Sequence, residues 1–144
     1  MAKYIGIDLG TTFSSVATID DSGNPVIVEN DSLKESPKGT ITASCIMLSN
    51  GKIVIGENAR KNLQANKAAI GRFKRDMGTN KTYKLGEREV SPQDLSSILL
   101  SRLKEFAEKK LGEISKAVVT VPANVSNEFR TATIAAAKEA GLDI

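Results

Sequence analysis

Residues 4–20 read YIGIDLGTTFSSVATID, and this stretch decides the fold. Tyr4, Ile5, Ile7 and Leu9 form a short apolar run suited to a buried strand, and Phe13 to Ile19 is a second run rich in β-formers. Between them lies Asp8-Leu9-Gly10-Thr11-Thr12, which brings one carboxylate, one glycine and two hydroxyls to a tight turn. Gly10, free to adopt a positive φ, is expected to let successive backbone N–H groups face an anion with no Cβ in the way. The hydroxyls can donate to phosphate oxygens, whereas Asp8 alone would repel them. A hydrated Mg²⁺ between Asp8 and the phosphates resolves that conflict, so the turn predicts nucleotide and Mg²⁺ together. The plain alternative is a β-hairpin whose turn merely contains common turn formers. Neither G-x-x-x-x-G-K-[ST] nor G-x-G-x-x-G is present, and both of those loops lead into a helix, not a strand.

Composition narrows the chemistry. At 144 residues the chain is one domain's worth and long enough for a proper core. Twenty basic residues against 17 acidic give a mild net charge of +3, scattered along a chain with no Trp, so nucleic acid is not an expected partner. One cysteine, Cys45, excludes a disulfide framework within the chain, and the absence of histidine rules out His/Cys zinc sites and every Ser-His or Cys-His nucleophile. Cys45 is expected to be a small buried apolar residue. Any catalysis must use carboxylates, lysine, hydroxyls or a metal ion. With no signal peptide or membrane-spanning run, a reduced cytoplasmic setting and no membrane contact are expected.

Further along, residues 20–25 are a dense turn signal, and Val26–Val28 is a third strand that completes an antiparallel meander. Residues 30–39 read as an exposed loop or a crossing point between subdomains. A hairpin follows, with Ala43–Leu48 and Ile53–Ile55 joined through Asn50-Gly51. Glu57–Asn66 has helical composition, Ala69–Met77 reads as a shorter helix stopped at Gly78, and Thr82–Val90 as a small hairpin around Gly86. Ser91–Leu111 is the clearest helix, with a capping Ser91, Pro92 in the first turn and Asp94 completing the box. Its Leu95, Ile98, Leu99, Leu103, Phe106 and Leu111 share one side. Ala117–Val121 reads as a central strand buried on both faces, and Ser126 caps a helix over Asn127–Ala140 with Phe129, Ala132, Ala136 and Ala140 along one stripe. Leu142-Asp143-Ile144 reads as the start of a strand. The expectation is an N-terminal piece of a longer protein, with a sheet short of its last parallel strand.

GIDLGTT (6–12), RFKRDMG (72–78) and AVVTVPA (117–123) occur in that order at suitable spacings, and the closing Arg130 and AGLDI are also similar. Together they resemble the N-terminal part of the 70-kilodalton heat-shock chaperones of the bacterial DnaK type. The resemblance covers essentially the whole chain, strongly at both ends. It implies an α/β fold, the actin-like ATPase (ribonuclease H-like) fold, with only lobe I present and that incomplete: a mixed sheet of antiparallel meander plus parallel strand with helices packed on it. Residues 1–38 and 113–144 would form the sheet subdomain, and 39–112 a smaller inserted one.

Carried over by position, Gly10, Thr11, Thr12 and Phe13 match the family's first phosphate loop, with Phe13 acting through its backbone. Asp8 matches the carboxylate that organises Mg²⁺ through water. Lys74 matches the lysine that reaches the γ-phosphate and attacking water, while Pro122 and Arg130 match a pair that relays nucleotide state. The implied cofactors are ATP/ADP and Mg²⁺; the implied partners are unfolded polypeptides, a J-domain co-chaperone and a nucleotide exchange factor. The chain departs from the pattern in three places: Thr42-Ala43-Ser44 lacks a proline, Asn124-Val125 replaces an aromatic pair, and Gly71-Arg72-Phe73 is unusual ahead of the lysine. A divergent member is expected, one whose 144 residues bind ATP weakly or not at all and do not hydrolyse it. A sugar kinase and an actin-like filament protein are the alternative functions, since both carry variants of the first motif.

Overall fold

The structure, a computed structural model, describes residues 3–30, 40–63 and 69–144. Strand β1 (Tyr4–Leu9) alternates outward Tyr4, Gly6 and Asp8 with Ile5, Ile7 and Leu9, which are almost wholly buried. It pairs antiparallel with β2 (Phe13–Ile19), which pairs in turn with β3 (Pro25–Val28). That is the expected meander.

The next run splits where one continuous strand is expected. β4 (Thr42–Ala43) pairs with the first residues of β2 and stays in the main sheet, whereas β5 (Cys45–Ser49) pairs with β6 (Lys52–Ile55) in a second sheet. Ser44 is the joint between them. Asn50 and Gly51 both adopt positive φ, 52° and 77°, as the favoured two-residue hairpin turn requires.

The middle of the chain holds two corrections. Helix α1 is only Glu57–Arg60, and the end of the longer helix read over Glu57–Asn66 lies outside the described residues, as does most of the loop over 30–39. Ala69–Met77 is not a helix: β7 (Ile70–Gly71) joins the second sheet beside β5, Arg72 turns the chain at φ 56°, and Phe73–Asp76 forms a 3₁₀ turn. The expected hairpin is present as β8 (Tyr83–Leu85) and β9 (Arg88–Val90).

Helix α2 (Pro92–Leu111) starts with the full capping box: the Asp94 N–H donates to Ser91 Oγ, and the Ser91 N–H to the Asp94 carboxylate. Leu95, Leu99, Leu100 and Leu103 are buried, while Ile98, Phe106 and Leu111 sit half-buried at the edges. The inward arc is therefore rotated slightly from the expected stripe. Truncating one of the buried leucines to alanine would cost about 2–5 kcal/mol.

Strand β10 (Lys116–Val119) runs parallel to β1 and closes the order β10-β1-β2-β3. It is not buried on both faces as its composition suggests, for Val118 is 70% exposed. Its far edge receives a single bond among the described residues, from the Ala117 N–H to the Asp143 carbonyl. Helix α3 (Asn127–Glu139) is capped by Ser126 and packs on α2, where Ala136 and Ala137 allow close approach. One core joins the underside of the main sheet, both long helices and Phe73 and Met77 of the 3₁₀ turn.

Candidate functional site

The β1–β2 turn is built by close packing, not by left-handed backbone. Gly10 does not adopt the positive φ expected of it. A Cβ there would lie 2.0 Å from the Phe13 carbonyl oxygen, so glycine is needed because the turn folds tightly onto its own backbone. Thr11 and Thr12 project outward and are exposed.

Ser44, which the sequence reading passed over, fastens the turn from the side. Its N–H donates to the Thr12 carbonyl at 2.8 Å and its hydroxyl to the Gly10 carbonyl at 2.8 Å. With that hydrogen committed, the Ser14 hydroxyl donates to Ser44 Oγ, also at 2.8 Å. The two serine side chains are buried, Ser14 and Ser44 being 1% and 2% exposed, where satisfied polar groups hold geometry most firmly. The available signal was a lone serine breaking an apolar run.

Asp8 stands at the end of β1 on the open face of the sheet, and its Oδ1 accepts a 3.0 Å hydrogen bond from Thr120 Oγ1. Lys74 arrives from the 3₁₀ turn, positioned by its neighbour Phe73, which is 2% exposed in the core. Lys74 itself is only 6% exposed and forms no ion pair among the described residues. Burial pushes its pKa down, and the nearby Asp8 charge opposes that shift. A desolvated cation without a counter-ion is costly, and an arriving anion relieves the cost.

Lys74 and Thr11 line one open cleft of about 420 Å³, together with Thr79, Pro122 and Val125. A second hollow of about 460 Å³ lies beside the same turn, lined by Thr11, Thr12, Cys45, Lys61 and Arg72 among others. Arg60 on its rim is held by a bidentate bond to Glu57 and lies 5.9 Å from the Phe13 ring. Cys45 is buried, as expected, and burial raises its thiol pKa. Arg130 is elsewhere: it is exposed on α3 beside Val118 and Ile134, so Pro122 and Arg130 do not share a pocket.

The donor set fits a magnesium-bound phosphate group. Hydroxyls and a glycine turn accept phosphate approach, the buried Lys74 has no ion-pair partner among the described residues, and one carboxylate suits an ion that keeps most of its water. Among the described residues no cluster of three or more His, Cys, Asp or Glu could ligate a metal directly, and no helix is long and apolar enough to cross a membrane.

A mixed sheet backed by helices, with a hydroxyl-bearing hairpin turn at its edge, is the architecture of the actin-like ATPases. Comparison with known proteins narrows the class. The Hsp70 protein family model matches residues 4–85 and 81–144, and the chain belongs to the Hsp70 family. It is similar to the chaperone protein DnaK of Mycoplasmopsis synoviae, 44% identical over 147 residues covering 100% of this chain and 24% of that protein. The chaperone protein DnaK of Mycoplasmopsis pulmonis is 46% identical over the same spans, and that of Mycoplasma mobile 43% identical over 99% of the chain and 23% of its own length. The chain thus spans about a quarter, 24%, of the relatives it matches.

Proposed function

We propose that the chain is the N-terminal part of an ATP-dependent chaperone, in which ATP hydrolysis governs the binding and release of unfolded polypeptides. The observation that carries this reading is Lys74: nearly buried, without an ion-pair partner among the described residues, and facing the same cleft as Thr11. Gly10, Thr11, Thr12 and the Phe13 backbone hold the phosphates through N–H and hydroxyl donors. Lys74 supplies a point charge at the terminal phosphate, and Asp8 accepts hydrogen bonds from the water shell of Mg²⁺. The bound ion supplies charge neutralisation for phosphoryl transfer, a reaction that asks the protein for positioning and needs no histidine.

Residues 1–38 and 113–144 serve as a sheet subdomain, incomplete as lobe I, with 39–112 inserted into it. Helix α2 is what binds the two, since it packs on the sheet and α3 and also against the 3₁₀ turn. Pro122, on the cleft, passes nucleotide state toward Arg130, which stands on α3 and lines a different pocket. A J-domain co-chaperone and a nucleotide exchange factor act on the full-length protein in the cytoplasm. Membership in the Hsp70 family weighs against the sugar-kinase and filament readings.

The test is Lys74→Ala in the full-length protein. Hydrolysis is expected to fall at least about a hundredfold, with nucleotide affinity kept within about tenfold. Wild-type turnover would remove Lys74 from the site.

A further inference from the structure

Two bonds from one residue hold consecutive positions of β1. The Thr120 N–H donates to the Ile7 carbonyl at 3.0 Å, extending the parallel ladder by one step, and the Thr120 hydroxyl donates to Asp8 Oδ1 at 3.0 Å. The two side chains come from positions 112 residues apart and meet on the open face of the sheet. Asp8 is otherwise an exposed carboxylate at a strand end, free to rotate about two torsions. The Asp8 charge reaches Lys74 and partly offsets the effect of its burial, yet no ion pair forms between the two.

We propose that Thr120 is a positioning residue for the metal-facing carboxylate of Asp8; this rests on the phosphate-and-magnesium reading above. The β-branched side chain has few rotamers, so its hydroxyl hydrogen is delivered to one carboxylate oxygen in a fixed direction. The other oxygen is left free on the exposed face of the sheet. Water on a divalent cation turns its hydrogens outward and therefore needs acceptors. The free Asp8 oxygen and the lone pairs of Thr120 Oγ1 are two such acceptors, side by side. The same bond keeps Asp8 off Lys74. Without it the carboxylate is free to swing onto the ammonium and neutralise the charge meant for phosphate.

The test measures affinity for a fluorescent ATP analogue across a Mg²⁺ titration, and in excess chelator, in the full-length protein. Thr120→Val keeps the shape and removes the donor, Thr120→Ser restores it, and Asp8→Asn reports on the underlying reading. Thr120→Val is expected to raise the half-saturating Mg²⁺ roughly tenfold, with metal-free affinity unchanged and Thr120→Ser close to wild type. A wild-type Mg²⁺ requirement in Thr120→Val, beside a raised one in Asp8→Asn, overturns the role of Thr120 alone. Equal weakening with and without Mg²⁺ also overturns it, by showing a purely structural part. If Asp8→Asn itself leaves the Mg²⁺ requirement unchanged, the metal reading falls and this inference falls with it.

Discussion

The two halves of the candidate site are made in opposite ways. The turn carrying Gly10, Thr11 and Thr12 closes a long antiparallel ladder in which five residue pairs are in register, from Ile5↔Thr18 to Leu9↔Ser14. Lys74 rides on a short 3₁₀ turn entered through a left-handed arginine, with only two residues of strand before it. Regular pairing fixes the hydroxyl half by hydrogen bonds. The cation half is fixed by what flanks it in the core, Phe73 and Met77, which are 2% and 3% exposed. The lesson is that a candidate site can join one element held by backbone pairing to another held by packing, and each should fail differently.

The sharpest way to break the first half is Gly10→Ala. The new Cβ meets the Phe13 carbonyl oxygen at 2.0 Å, a backbone atom that cannot step aside alone. Expect a loss of about 3 kcal/mol in urea unfolding and, in the full-length protein, nucleotide affinity weakened more than tenfold. Stability and affinity should fall together, because the ladder and the site are one object there.

Gly78→Ala probes the other half. Gly78 ends the Lys74 turn at φ +80°, and a Cβ would lie 2.7 Å from the Glu128 backbone at the start of α3. A loss of about 2 kcal/mol is expected from the strain and the clash, with nucleotide affinity in the full-length protein falling less than in Gly10→Ala. Equal loss of nucleotide affinity in both glycine variants would erase the distinction drawn between the halves.

The mildest probe is Tyr83→Phe. The Tyr83 hydroxyl donates to Asp76 Oδ2 and braces the same turn, and burial first, then this bond, raises the tyrosine pKa to about 12. The neutral phenol is therefore the form the fold favours. Its contribution, about 1 kcal/mol, is fully present below pH ~10 and lost as pH climbs toward the raised value. Urea titrations at pH 8 and pH 11 should show the gap between wild type and Tyr83→Phe narrowing at the higher pH. A gap that stays constant would mean the phenol is not coupled to the fold.

The same contrast explains what could be read from residues alone. The 4–19 hairpin was legible because alternation of period two survives on β1 and the turn formers sit between two β-rich runs. The Asn50-Gly51 turn and the Ser91 cap were legible because their chemistry is local. Ile70, Phe73 and Met77, by contrast, fall at i, i+3 and i+7 and mimic a helical stripe. All three are buried, but a strand, a left-handed residue and a 3₁₀ turn deliver them inward. Spacing cannot separate those two routes. The reason for Gly10 was misjudged because crowding by Phe13 exists only once the turn is closed. Ser44 and Thr120 were missed because their partners are far along the chain, 34 and 112 residues away. Val118 misled for another reason: composition reports how apolar a strand is, not how many neighbours it has.

Ser44 has one more implication. It sits between β4 in the main sheet and β5 in the second sheet, with its amide and hydroxyl both fixed to carbonyls of the β1–β2 turn. A tilt of the second sheet must therefore pull on the Gly10 and Thr12 carbonyls or break two hydrogen bonds. The serine acts as a strut, so that the angle between the two sheets is written directly into the shape of the β1–β2 turn.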